Sequence, residues 1–325
     1  MKEILMMKGA RKLVETCGNV QENENVLIVT DFNLTSVAEA IAKVVYERNA
    51  KVVIMAMEPR KMHNEAIPSI VGAAMTKADV IFVPTTFTIA HTKARIEASK
   101  AGARIINMPD YSDDVLMSPA LTDVDFKELA PKVKKVAEFL TKAKKAHVTS
   151  DLGTDVTLGL DGRDGAALTG LIHEKGQFGT PPDIEARITP VEGTTNGIIY
   201  VDGSIPAPGV SLLSEPVKIV VKDGFVTDIS GGQQARNFAK ILKDANDHNV
   251  YNIAELGIGM NPMARLKGVM TEDEGMAGTI HIAVGTSGAF GGKIHTSLHL
   301  DMIQINPTVV LDDSIVILKE GKLMV

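Results

Sequence analysis

The N-terminal third of the chain alternates short apolar runs with segments of helical period. The runs NVLIVTD (25–31), KVVIMAM (51–57), ADVIFVP (78–84) and ARIINMP (103–109) are continuous rather than alternating, as in strands buried on both faces. Between them, SVAEAIAKVVYERNA (36–50) and KARIEASKAG (93–102) carry apolar residues at helical spacing. Strands and helices in alternation predict an open, mostly parallel, Rossmann-like sheet. A dinucleotide site would need a glycine-rich turn after the first strand, but Asp31-Phe32-Asn33-Leu34-Thr35-Ser36 has no glycine. Thr35 or Ser36 reads instead as a helix N-cap, and Asp31, Pro84, Thr85 and Thr86 as caps and turns.

From His147 the texture changes to short β-like segments rich in glycine, such as HVTSDLGTDVTLGLDGRDG (147–165) and TPPDIEARITPVEGTTNGIIYVDGS (180–204). Lys222-Asp223-Gly224 predicts a hairpin turn inside PVKIVVKDGFVTDISGG, and VVLDDSIVILKEGKLMV closes the chain as another hairpin. One helical stretch, Gln233 to Asp247, interrupts the strands. The expected architecture is α/β: a Rossmann-like domain over residues 1–146, then a β-rich α+β metal-binding domain over 147–325.

Composition narrows the partners. A net charge of -6 with pI near 5.8 argues against a nucleic-acid surface, which needs a concentrated basic patch. The basic run from Lys132 to Lys145 alternates with apolar residues at helical spacing and reads as a solvated helix face. A single cysteine, Cys17, excludes an internal disulfide, and no stretch approaches the roughly 20 apolar residues of a membrane span. A cytoplasmic protein acting on a small-molecule or peptide substrate is expected.

The chemistry concentrates between Glu255 and Asp301, which holds three of the eight histidines and several acids within strand-like segments. In LHLDM, a strand places His299 and Asp301 on one face, about 6.6 Å apart along the chain. His295 would stand about 13 Å from His299 on such a strand, outside a shared coordination shell. His281 sits amid apolar residues in TIHIAVG, where a core histidine and a metal ligand are both open readings. Glu255 precedes LGIG in another apolar strand, and burying that carboxylate calls for compensation by a cation. Spacing alone puts Glu185, Arg187 and Glu192 on a solvated strand edge, and Glu272-Asp273-Glu274 in an exposed turn. Mixed imidazole and carboxylate donors suit Zn, Mn, Co or Fe.

At these residues the chain resembles the aminopeptidase T and aminopeptidase S metallopeptidases, and their relatives the 2,5-dihydroxypyridine dioxygenases. The resemblance runs over nearly the whole chain and is carried by SDLGTDVTLGLDGR, IEARITPVEGTTNG, AELGIGMNP, EGMAGTIHIAVG and GGKIHTSLHLDM. It implies a two-metal peptidase site with ligands Glu185, Glu255, His281, His299 and Asp301, Glu255 bridging Zn, Co or Mn ions. It also implies a homodimer or larger homo-oligomer. A metal-activated hydroxide would then attack an amide, with Glu192 or Glu274 moving the proton, Arg187 or Arg163 holding a substrate carboxylate and Asp155 orienting a ligand. The chain departs from the peptidases in length and in having no tyrosine after Tyr251; the loop there reads TSGAFGG. The leading expectation is an aminopeptidase-like metallohydrolase. The alternatives are an Fe(II) ring-cleaving dioxygenase built on His281, His299 and Asp301, and a non-catalytic metal-stabilised binding protein.

Overall fold

The computed structural model describes residues 2–325, and the chain divides into two units. One extends to Ala130 and includes Thr169–Pro182; the other comprises Pro131–Leu168 and Asp183–Val325. In the first unit, β1 (Asn25–Asp31), β2 (Lys51–Met57), β3 (Val80–Thr85) and β4 (Arg104–Pro109) pair in parallel in the order β2-β1-β3-β4. Around them lie α1 (Lys2–Arg11), α2 (Thr35–Glu47), α3 (Ser69–Met75) and α4 (Lys93–Lys100). The continuous apolar runs explain the layering in β3 and β4, every residue of which is buried, but not in β2, which stands at the sheet edge with Val53 and Ile54 exposed despite its apolar run. Leu27, Val29, Ile81, Val83 and Ile105 form one core cluster with Val71 and Met75 of α3. Each such side chain, fully buried, stabilises the fold by about 1.5–3 kcal/mol.

The end of β1 is stapled rather than open. Asp31 Oδ2 accepts from the Thr86 amide at 2.6 Å and Oδ1 from the Asn33 amide at 3.1 Å, so Asp31 is structural, as expected of a turn residue. The α2 N-cap differs from expectation. It is Leu34, whose side chain has no polar atom to cap with, while Ser36 donates its hydroxyl to Asp113 at 2.8 Å.

The second unit is mostly strand. In chain order follow β5 (Lys145–Thr149), β6 (Asp155–Gly159), β7 (Ala166–Leu168), β8 (Phe178–Gly179), β9 (Glu185–Ile188), β10 (Asn196–Val201), β11 (Ser204–Ile205), β12 (Ser211–Leu212), β13 (Val217–Lys222), β14 (Phe225–Ser230), β15 (Ile253–Gly259), β16 (Thr279–Gly285), β17 (His299–Ile305), β18 (Thr308–Leu311), β19 (Ile315–Lys319) and β20 (Lys322–Leu323). Of these, β8 belongs to the first unit, where it extends the parallel sheet beside β4. The others form an antiparallel sheet β14-β13-β10-β6-β5-β18-β19-β20, a ribbon β11-β12, and a sheet β17-β16-β15-β9-β7. Asp223 (φ 50°) and Gly224 (φ 79°) make the two-residue turn that the β13–β14 hairpin requires. In the larger sheet β5, β6 and β13 alternate buried with more exposed positions, as when one face meets water. In contrast, β15 and β16 are buried at every position, so any ionisable side chain they carry must find its partners inside. Among the described residues no helix is long and apolar enough to cross a membrane.

Candidate metal centre

Register brings six ionisable side chains to one face of the sheet β17-β16-β15-β9-β7. Cross-strand partners share a face, and so do residues two apart on a strand. Asp301 pairs with Ala283 and Ala283 with Glu255; His281 pairs with Gly257 and Gly257 with Arg187; Gly259 pairs with Glu185, and His299 with Gly285. Glu185, Arg187, Glu255, His281, His299 and Asp301 therefore surround a floor of glycine and alanine. The floor has to be small. A Cβ on Gly257 would meet His281 Nε2 at 2.1 Å, so the imidazole lies where any larger residue would put its side chain.

The functional atoms converge. His281 Nε2 is 3.3 Å from Glu185 Oε2, 3.7 Å from Glu255 Oε1 and 3.8 Å from Asp301 Oδ1. His299 Nε2 is 3.3 Å from Glu255 Oε2 and 3.5 Å from Asp301 Oδ1. His299 Nδ1 donates to the Thr286 carbonyl at 2.9 Å, which leaves Nε2 as the nitrogen turned toward the carboxylates. Arg187 Nη1 donates to both oxygens of Glu255, at 3.0 and 3.2 Å, and its guanidinium lies 4.1 Å from the centroid of the Phe290 ring.

Mutual attraction sets the protonation of these groups. Burial disfavours charge on His299 and His281, but the facing carboxylates win, holding His299 well above the usual imidazole range and His281 at about 10. Burial raises Glu185 to about 7 although His281 opposes it. Glu255 falls well below the usual carboxylate range because Arg187 and the two histidines outweigh burial. Beside them, burial and neighbouring carboxylates push Asp183 and Glu274 well above the usual carboxylate range.

The donor set fits a divalent cation. Glu185, Glu255 and His281 each offer a ligand atom within 4.8 Å of the others, all three buried, and this group could hold a metal ion. Glu185 Oε2 is close to His281 Nε2, yet among the described residues it has no hydrogen-bond partner. Glu185 Oε2 is thus an unpartnered buried oxygen beside an imidazole nitrogen, a donor pair that a cation would satisfy.

The five residues expected as ligands thus lie together, and so does Arg187, which bonds to Glu255. Glu185 and Arg187 are not on a solvated edge: β15 and β7 flank β9, and Glu185 is 2% exposed. Glu192 and Arg163 lie outside the cluster, paired with each other. Asp155 is also outside it, exposed and bonded to His147. His295 is exposed on the loop before β17. The acids at 272–274 are not an exposed turn. Glu272 and Asp273 are buried, Asp273 accepting from the Lys267 and Gly268 amides at 2.7 and 2.9 Å, and Glu274 lies against Asp301. Residue patterns gave no sign of Asp183, or of Phe290 beside a cavity of about 230 Å³ lined by Asp164, Ala166, Arg187, Ile188 and Glu255. The apolar Phe290 in a glycine-rich loop was the available signal.

A family model described as NicX, 2,5-dihydroxypyridine 5,6-dioxygenase, matches residues 6–325. The 2,5-dihydroxypyridine 5,6-dioxygenase of Pseudomonas putida (strain KT2440) is 27% identical over 255 residues, covering 75% of this chain and 71% of that protein. Among solved structures, the 2,5-dihydroxypyridine dioxygenase of Pseudomonas putida KT2440 superposes with a TM-score of 0.85 at 21% identity, covering 100% of this chain and 98% of that one. Wild-type AmpT from Thermus thermophilus gives 0.72 at 13% identity, covering all of both chains. At these identities the two structures show the fold alone, so the aminopeptidase T likeness is one of architecture. The expectation of an aminopeptidase-like metallohydrolase is overturned: the family model and the curated relative point to a dioxygenase, an oxidoreductase. The error has a physical reason, because imidazole and carboxylate donors serve hydrolytic and oxygen-using metals alike. By this match along almost its whole length, the chain belongs to the 2,5-dihydroxypyridine 5,6-dioxygenase family.

Proposed function

We propose that this protein is an Fe(II)-dependent dioxygenase that opens a small hydroxylated heteroaromatic ring, with one iron held in the cluster on β9, β15, β16 and β17. The observation that carries the reading is the cluster of two imidazoles and three carboxylates bordering a cavity of about 230 Å³, in a chain of this family. That cavity is below the roughly 300–1,000 Å³ of drug-sized pockets, which suits an occupant of about one ring. His281, His299 and Asp301 would supply the two imidazoles and one carboxylate that non-haem iron oxygenases use, while Glu185 and Glu255 share a buried three-donor group with His281. Iron(II) bound there would supply the one-electron steps through which a closed-shell ring can react with triplet dioxygen.

The chain's own residues do the rest. The Thr286 carbonyl fixes the tautomer and direction of His299. Arg187 neutralises Glu255 and presents its cation to the cavity, where it would orient a ring oxygen. Ala166, Ile188 and Phe290 give the cavity apolar surface that excludes water from the ring.

Oxygen uptake tests the reading. The purified chain, loaded anaerobically with Fe(II), should consume equimolar oxygen with 2,5-dihydroxypyridine or another hydroxylated pyridine as the aromatic absorbance disappears, and His299→Ala should abolish uptake. Full iron loading with no uptake across a panel of hydroxylated pyridines and hydroquinones would refute it.

A further inference from the structure

We infer that Phe290 is the aromatic wall that selects a planar ligand for this cavity, and that Arg163 and Glu192 are positioning residues that hold it there. The ligand class rests on the ring-cleavage reading above; the geometry of the wall does not. Phe290 lines the same cavity as Arg187, with the guanidinium 4.1 Å from its ring centroid and the His299 ring 5.0 Å away at an interplanar angle of 55°. A guanidinium against a phenyl ring makes a flat, positively charged surface. It complements a planar ring that carries an ionised or hydrogen-bond-accepting oxygen, and it offers little to a branched aliphatic amine.

The loop bearing Phe290 is held at consecutive points by side chains from elsewhere in the unit. Thr189 Oγ1 donates to the Phe290 carbonyl at 2.8 Å. Arg163 donates to the Gly291 carbonyl and is paired with Glu192, while Glu192 Oε1 accepts from the Lys293 amide at 2.6 Å. Gly291 has φ 92°, a left-handed turn that lets the chain reverse directly after Phe290. Arg163 and Glu192 are therefore engaged with each other and with loop backbone, so they act on a ligand through Phe290.

Calorimetry on the full chain loaded with Zn(II), which undergoes no redox chemistry, separates binding from turnover. Wild type should bind 2,5-dihydroxypyridine in preference to leucinamide, an aliphatic amide of similar size. Phe290→Leu keeps apolar bulk but loses the π-face, and should weaken the ring ligand by about threefold to tenfold while leaving leucinamide within about twofold. Phe290→Trp should keep ring binding. Glu192→Ala should speed hydrogen exchange at residues 290–293 and weaken ring binding, and its effect should largely vanish in a Phe290→Leu background, since both act through one side chain. Ring affinity unchanged in Phe290→Leu, or additive losses in the double variant, would overturn the inference. Phe290-dependent ring binding without any oxygen uptake would support it while refuting the proposed reaction.

Discussion

Gly257→Ala is the most exacting probe of the site, because it adds one methyl group at a position where the three nearest atoms all belong to the imidazole. The new Cβ would lie 2.1 Å from both Cε1 and Nε2 of His281 and 2.8 Å from Nδ1, far inside contact distance. Gly257 is in a regular strand paired with His281 and Arg187, so alanine meets no backbone penalty there. His281 is 1% exposed and hemmed in by three carboxylates, which leaves its ring little room to move. Relief therefore has to come from displacing the ring and lengthening its 3.3 Å approach to Glu185. Overpacking of this kind costs about 1–3 kcal/mol, and disturbing a ligand's support typically lowers metal affinity by about 10- to 100-fold. Thermal melts and metal titrations of Gly257→Ala, His281→Ala and the double variant form a cycle. The alanine should be costly with the imidazole present and nearly neutral without it, since the atom it strikes is gone. Equal penalties in both backgrounds would show that the His281 ring does not lie over Gly257.

Two further predictions follow from the electrostatics. Metal binding should release protons and tighten as pH rises from about 6 to 8. The free site carries protons on Glu185, whose pKa is about 7, and on His281, whose pKa is about 10, and a cation must displace both. Calorimetry in buffers of different ionisation enthalpy measures the release, and affinity independent of pH would contradict it. Arg187→Met should destabilise the metal-free protein, by less than the about 3–5 kcal/mol of a fully broken buried pair because His281 and His299 still face Glu255, with most of the loss recovered on metal loading. Equal destabilisation with and without metal, seen in thermal melts, would contradict it.

Much of the fold is legible because buried strands are written as continuous apolar runs, and β1 to β4 begin and end close to those runs, although β2, at the sheet edge, is largely exposed. Period-two spacing also placed His299 and Asp301 on one face of β17. It could not place Glu185, because burial of β9 depends on its pairing with β15, whose residues lie some 70 positions away in sequence. The acids at 272–274 misled for a similar reason. Beside Gly275 they look solvated, but Asp273 is held by Ser204 at 2.6 Å, a partner that nothing local announces. The reaction was the least legible feature, because the five ligand-type residues carried the resemblance to peptidases while the whole chain matches a dioxygenase family.

The proposal of one ion rests on charge as well as on donor type. Glu185, Glu255 and Asp301 face the histidines, and Asp183 and Glu274 stand close behind. Five carboxylates could not ionise together in so buried a volume, since each uncompensated charge costs several kcal/mol. Burial and the neighbouring carboxylates push Asp183 and Glu274 well above the usual carboxylate range, which favours their neutral forms beside Glu185 and Asp301. Three carboxylates remain against the single guanidinium of Arg187. With both imidazoles neutral, one dication brings the cluster to neutrality. A second would leave two positive charges, which only ionisation of Asp183 and Glu274 would balance from within the protein. The two-ion site implied by the peptidase resemblance would need Asp183 and Glu274 to give up the protons that burial favours, whereas a single iron is balanced by the three carboxylates that already face the histidines.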